Sequence, residues 1–170
     1  MKKLGLFLLI FLAFSSGPEV WGQTNQTATS KVMIVIHDIM KLNVQSNVGP
    51  SAVFNITSTD QMDGGSKIDN ASTISVLSNK PWKISVRAGA ENFRSTNSNS
   101  EIPASVLRVR VNGGDYIPTT MENNLLKGGE QGDENKLGNR FDVDYLTSFN
   151  GIYADPGTYE IDLIYTLSQD

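Results

Sequence analysis

The chain ends in YEIDLIYTLSQD (residues 159–170), the stretch that says most about how this protein folds. Its apolar residues alternate with polar or outward-facing ones: Tyr159, Ile161, Leu163, Tyr165 and Leu167 against Glu160, Asp162, Ile164, Thr166 and Ser168. A period of two is typical of a β-strand with one buried face and one face in water. The pattern leaves open whether this strand closes its own fold or is an edge on which another subunit builds.

Further period-two segments occur upstream, and no window has the apolar stripe of a helix. They lie at 40–44, 53–57, 73–77, 82–86, 107–111 and 141–145, and the continuous apolar run 32–36 predicts a strand buried on both faces. Asn112-Gly113 predicts a type I′ hairpin turn, and Asp155-Pro156-Gly157 a turn with glycine at positive φ. Roughly eight short strands predict an all-β, antiparallel β-sandwich of immunoglobulin-like type, with a jelly roll as the alternative.

The N-terminus has the order of features found in a secretory signal peptide. Lys2 and Lys3 precede an apolar run at 4–14, and a small residue, Gly22, ends the predicted leader at 1–22. The run is too short to span a membrane, so we expect no transmembrane segment after cleavage. Residues 23–31 predict a flexible tail, and 32–170 a single β-sandwich domain.

The composition indicates which cellular compartment and which classes of binding partner to expect. The chain has no cysteine, so its fold needs no disulfides, which favours export from a Gram-negative bacterium to the periplasm, cell surface or medium. A net charge of −4 without a basic cluster argues against nucleic acid as a partner. We therefore expect proteins or glycans as partners.

Enzymatic chemistry has little support in this sequence. His37 is the one histidine, there is no cysteine, and no nucleophile motif is present, so neither a catalytic triad nor a zinc site can be assembled. The carboxylate pairs Asp142/Asp144 and Glu160/Asp162 lie on the polar faces of their strands, where solvation explains them. We expect a non-enzymatic protein without a cofactor.

Two loops are candidates for ligands. The loop at 127–140 contains oxygen donors that could bind Ca²⁺, namely Glu130, Asp133, Glu134 and Asn135, although their spacing does not match an EF-hand and a solvated acidic loop is the favoured interpretation. Aromatic residues near loops could form a glycan-binding platform: Phe93, Tyr116, Phe149 and Tyr153. Trp82 is in register with Ile84 and Val86, which predicts a core position.

The overall pattern resembles exported bacterial β-sandwich proteins of the spore-coat-U-like and chaperone–usher pilus subunit type. The resemblance is carried by the leader, the chain length, the short strands and the ending DPGTYEIDLIYTLSQD (155–170). Subunits of that type carry a glycine fourteen residues from the C-terminus, on the last strand, and Gly157 has that position. They also donate an apolar N-terminal extension to a neighbour's fold, a part that residues 32–36 could take.

Two functions follow as predictions. The first is a structural or adhesive surface protein, possibly a pilus-type or fibre subunit, that assembles through edge strands. Its candidate assembly residues are Val32, Ile34, Ile36, Gly157, Tyr159, Ile161, Leu163 and Tyr165. The alternative is a monomeric exported binding module for glycan or another extracellular ligand, which would use the loops at 91–102 and 127–140.

Overall fold

The computed structural model of the protein describes residues 27–170, so the predicted leader lies outside the described residues. Ile36–Asp170 form one compact unit, and the described residues before Ile36 belong to a separate one. The strands are β1 (Met40–Ser46), β2 (Ser66–Ser78), β3 (Trp82–Ala88), β4 (Arg94–Ser95), β5 (Leu107–Val111), β6 (Ile117–Pro118), β7 (Asn124–Gly129), β8 (Arg140–Thr147), β9 (Tyr159–Glu160) and β10 (Leu163–Gln169). One short helix, α1 (Thr59–Gly64), and a 3-10 turn (Ala104–Val106) complete the elements of the described residues.

The strands form two packed antiparallel sheets and a small third one. Their orders are β1-β2-β8-β5-β6, β10-β3-β7 and β4-β9. Apolar side chains of the two larger sheets meet in one core, which contains Ile74, Val109 and Val143 from the first and Ile84 and Val86 from the second. The predicted all-β sandwich of immunoglobulin-like type is thereby confirmed.

Trp82 anchors the core from the first position of β3. Its ring is fully buried and stacks on Phe141 of the facing sheet, with ring centroids 6.3 Å apart. The indole Nε1 donates to the carbonyl oxygen of Glu130 (3.0 Å) and to Asn139 Oδ1 (3.3 Å), so its one polar atom is satisfied. The predicted core position of Trp82 is confirmed.

Asp144 does not have the solvated position that its strand pattern predicts. Its side chain is buried and accepts hydrogen bonds from Arg110 Nε (2.6 Å) and from the backbone N–H of Asn70 (2.7 Å). Asn70 lies at φ 51° in a register shift between β2 and β8, which turns its N–H towards the carboxylate. The prediction failed because a bulge in the neighbouring strand covers this face of β8.

Two predicted strands are absent. Residues 32–36 have no regular secondary structure, and their apolar side chains are 65–81 % exposed rather than buried on both faces. Residues 53–57 pair with no strand among those described, although their burial alternates. Among residues 27–170, neither segment has a neighbouring strand that could supply hydrogen-bond partners, and a strand requires such a neighbour.

The two predicted turns have different outcomes. Asn112 and Gly113 have φ 49° and 76°, the two positive values of a type I′ hairpin, so that prediction is confirmed. Gly157 does not have positive φ, and it precedes β9 instead of lying on the last strand. A Cβ at this position would lie 3.1 Å from both Asn97 Oδ1 and Ser98 Cβ, so close packing accounts for the glycine.

Candidate functional site: a groove between two sheet edges

A groove separates β1 from β10, which are one edge strand from each of the two larger sheets. Each pairs on one side only within the described residues, β1 with β2 and β10 with β3. The two edges meet at one end, where Gln169 Nε2 donates to Asp38 Oδ2 (3.0 Å). The space between them has a volume of about 1020 Å³, and its apolar lining includes Leu42, Val44, Phe54, Ile161 and Leu163.

The groove leaves one side of the sandwich core incompletely covered. The inward-facing residues of β3, Ile84 and Val86, are fully buried, whereas Leu163 on neighbouring β10 is only half-buried. Val44 on β1 also lines the groove and is 41 % exposed. An apolar surface of this kind is what a strand laid along the groove would cover.

Residues 50–56, here named the strap, form a further wall of the groove. Ala52, Phe54 and Ile56 pack against the core clusters, while Val53 between them is 65 % exposed. In the described part of the chain no backbone hydrogen bond involves the strap. Its side chains are thus placed like those of a strand, while its backbone donors and acceptors stay open to a partner.

A chain of three hydroxyl groups crosses the floor of the groove. Ser72 Oγ lies 2.9 Å from Tyr145 OH, which lies 3.1 Å from Tyr165 OH, so the chain joins β2 and β8 of one sheet to β10 of the other. Burial, reinforced by Tyr145, raises the pKa of the Tyr165 hydroxyl well above its ordinary value. The hydroxyl therefore keeps its proton at physiological pH and can donate a hydrogen bond.

The rim of the groove carries charged groups near β4 and β9. Arg94 and Asp162 form an exposed ion pair of 3.3 Å, and Glu160 is also exposed. An exposed pair of this kind contributes about 0–1 kcal/mol. These groups therefore solubilise the rim and contribute little to holding it together, as predicted for Glu160 and Asp162.

Five of the eight candidate assembly residues come together in this groove. Its lining includes Gly157, Tyr159, Ile161, Leu163 and Tyr165. The other three belong to the apolar segment at 32–36, where Val32, Ile34 and Ile36 are 80 %, 81 % and 75 % exposed. A role of these residues in assembly stays a prediction.

The closing strand is less regular than its sequence pattern predicted. It is divided into β9 and β10 by Ile161 and Asp162, and the two parts pair with different strands, β4 and β3. The alternation survives the break, since Tyr159, Ile161, Leu163 and Tyr165 are all half-buried. The hydroxyl chain was not predictable from the sequence pattern. The strap was predicted only as a strand at 53–57, although the alternation of Ala52, Phe54 and Ile56 was a visible signal for its buried side.

The four aromatic residues considered for glycan binding do not share an exposed face. Phe149 is buried in a second apolar cluster, against which Phe93 packs, and the Tyr116 ring lies under the Arg110 guanidinium at 4.5 Å. Tyr153 is 60 % exposed and donates its hydroxyl to Asp63. Glycan binding stays a prediction that these positions do not strengthen.

The acidic loop uses its oxygen atoms to shape itself. Asp133 Oδ1 accepts from the backbone N–H groups of Asn135 (2.9 Å) and Lys136 (3.0 Å), while Glu130 and Glu134 are exposed. Within residues 27–170, no group of three or more acidic, histidine or cysteine side chains is arranged to hold a metal ion. The loop instead supplies the carbonyl oxygen of Glu130 to Trp82.

Comparisons with known proteins find likeness at the level of structure and none at the level of sequence. No protein-family model matches the chain, and no curated protein matches it. Among the residues that the structure describes, no helix is long and apolar enough to cross a membrane. A solved chaperone–usher pilus structure, described as revealing the molecular basis of rod uncoiling, is similar with a TM-score of 0.46 and 13 % identity, over 87 % of this chain and 97 % of that one.

Proposed function

We propose that this protein is a non-enzymatic, exported structural subunit that assembles with copies of itself by strand donation. The apolar segment at 32–36 of one copy would enter the groove between β1 and β10 of the next. The observation that carries the proposal is the coexistence, in one chain, of an open groove with a partly apolar lining and five consecutive exposed apolar residues. Each is a surface that a soluble protein normally covers.

The dimensions of the two parts are compatible. Five residues of a strand span about 17 Å at 3.3–3.4 Å per residue, which is shorter than the seven-residue β10 alongside which they would lie. The free edge of β10 and the open backbone of the strap can both supply hydrogen bonds to such a strand. This is recognition by strand addition, in which main-chain bonds give affinity and alternate side chains give specificity.

The energy of burial is of the required order. Full burial of a Val or Ile side chain contributes about 1.5–3 kcal/mol, so Val32, Ile34 and Ile36 together would contribute about 5–9 kcal/mol. Association costs about 4–15 kcal/mol in lost freedom. Main-chain hydrogen bonds, at about 0.5–1.5 kcal/mol each, must therefore supplement the apolar contacts, and the unpaired edges allow this.

The residues that follow the apolar segment favour donation to another copy. The carbonyl oxygen of His37 accepts from Asn79 Nδ2 (2.8 Å), the N–H of Ile39 donates to Asn79 Oδ1 (2.9 Å), and Asp38 pairs with Lys80 at 2.7 Å. A segment that turned back into the groove of its own chain would have to reverse direction within residues 37–39, which these contacts hold in place. Docking into a neighbouring copy leaves the two hydrogen bonds and the ion pair intact.

The experiment is a measurement of molecular mass by size-exclusion chromatography with light scattering on three full chains. We expect the parent to form multimers and Ile34→Asp to run as a monomer, because a carboxylate cannot be buried unpaired in an apolar groove. Leu137→Asp is the matched control, since Leu137 is 99 % exposed and does not line the groove, and it should assemble like the parent. A parent chain that is monomeric at all concentrations would refute strand donation.

A deletion separates donation from a structural role of the same residues. Removal of residues 24–36 should abolish assembly but leave a folded chain that binds a synthetic peptide of residues 30–38. If the deletion unfolds the chain, these residues are the first strand of its own sandwich and the proposal is wrong. Circular dichroism distinguishes the two results.

A further inference from the structure

Within the described residues, the hydroxyl chain in the groove has one more hydroxyl proton than it has hydrogen bonds. Ser72, Tyr145 and Tyr165 each carry one hydroxyl proton, and the two bonds that join them, at 2.9 and 3.1 Å, take up two of the three. These hydroxyls make no other hydrogen bond among residues 27–170. One end of the hydroxyl chain therefore presents an O–H donor without an acceptor among the described residues.

That donor lies in the groove, so its hydrogen bonding changes when the groove is filled. Ser72 and Tyr145 are 5 % and 8 % exposed, and all three residues line the groove. In an open groove, water can accept the third proton. A docked strand would expel that water, and a buried donor without a partner costs about 1–3 kcal/mol. An occupant that brings no acceptor is therefore disfavoured.

We infer that the hydroxyl chain selects a polypeptide strand as the occupant of the groove, by donating the proton of Tyr165 to a main-chain carbonyl oxygen of the docked segment. The inference rests on the proposed function, because the occupant is the segment at 32–36 of a second copy. The side chains of that segment carry no oxygen or nitrogen, so the acceptor must be its main chain.

The fold places Tyr165 at the end of the hydroxyl chain that is nearer to a docked strand. It lies on the edge strand β10, beside which a docked segment would pair, whereas Ser72 lies on β2, which is flanked by β1 and β8. Protons then point from Ser72 to Tyr145, from Tyr145 to Tyr165, and from Tyr165 to the partner. A wholly apolar ligand would fill the same space but leave this donor unpaired.

The test measures binding of a fluorescent peptide, residues 30–38, to the full chain carrying Ile34→Asp, which has an open groove but a disabled donor segment. Tyr165→Phe in this background should weaken binding about three- to tenfold, the usual range for one lost hydrogen bond. The lost bond to Tyr145 does not enter this difference, because it is absent from both the free and the docked state of the variant.

Two further variants distinguish recognition from a packing effect. Tyr145→Phe removes the middle hydroxyl but leaves Tyr165 able to donate, so peptide affinity should change less than twofold although Tyr145 is the more buried residue. Tyr153→Phe is the matched control, because its hydroxyl bonds Asp63 and it does not line the groove. Thermal unfolding checks that each variant is folded.

The outcomes are separable. A loss confined to Tyr165→Phe supports the inference. Unchanged or tighter binding by Tyr165→Phe overturns it while strand donation stands, and so does an equal loss in Tyr145→Phe. Failure of the peptide to bind even the parent with Ile34→Asp refutes the proposed function itself, and the inference with it.

Discussion

The Trp82 site allows a sharp test of the packing of the sandwich, through the substitution Gly129→Ala on β7. A Cβ at position 129 would overlap the indole ring at Cζ2 and would lie 2.6 Å from Cε2. Real Cβ atoms essentially never approach a heavy atom so closely, and the ring cannot withdraw because it is fully buried and stacked on Phe141. The added methyl group must therefore displace either the ring or the strand.

The expected cost follows from this overlap. Overpacking of a well-packed core costs about 1–3 kcal/mol, and alanine in place of glycine returns about 0.4–1 kcal/mol by restricting the unfolded chain. The net loss in the free energy of unfolding should lie between about 0 and 2.6 kcal/mol when these two effects are combined. Displacement of the ring would also lengthen the bonds from Nε1 to Glu130 and Asn139.

Gly128→Ala is the matched control, because it changes the neighbouring residue of the same strand. A Cβ there would lie 3.5 Å from the Trp82 carbonyl oxygen, an ordinary contact, so only the gain from restricting the unfolded chain applies and the free energy of unfolding should rise by about 0.4–1 kcal/mol. Urea unfolding followed by circular dichroism measures both variants. Equal stability of Gly129→Ala and Gly128→Ala would refute the packing described for Trp82.

Two other predictions concern the buried carboxylate and the strap. Burial alone would raise the pKa of Asp144, but the bonds from the Asn70 N–H and Arg110 outweigh it and lower the pKa below its ordinary value. The contribution of the Asp144 carboxylate to stability is therefore present at neutral pH and lost as the pH falls through this lowered pKa. Asp144→Asn should be less stable than the parent at pH 7, and the difference should shrink below about pH 3.8. A constant difference in urea unfolding from pH 7 to 2 would contradict this. Phe54→Ala, which removes a half-buried ring, should cost about 2 kcal/mol, whereas Val53→Ala, at a side chain 65 % exposed, should cost under about 0.5 kcal/mol in the same assay; equal costs would show that the strap does not pack on the core.

Most of the strand pattern was predictable from local sequence, because alternation and turn chemistry are local properties. Trp82, Ile84 and Val86 are buried as their register indicated, and Asn112-Gly113 forms the expected turn. Patterns failed where a neighbour decides the outcome. Residues 32–36 are apolar on both faces, which predicted burial, yet they lie exposed because no strand in the described part of the chain flanks them.

The candidate site was predictable only in part for the same reason. Tyr159, Ile161, Leu163 and Tyr165 were identified as one face of a terminal strand, and they line one wall of the groove. Nothing in their order shows that β10 is a sheet edge. The hydroxyl chain joins residues more than seventy positions apart, which no local pattern can reveal.

Local sequence thus decided which segments of this chain alternate, where the chain turns and which faces are apolar, because backbone conformation and side-chain period depend on near neighbours. Tertiary structure decided which of those apolar faces are buried by packing against another element. Strand order leaves β1 and β10 without outer neighbours among the described residues, and so turns an ordinary apolar face into an open groove. Burial depends on what packs against a surface, and that is a property of the whole fold.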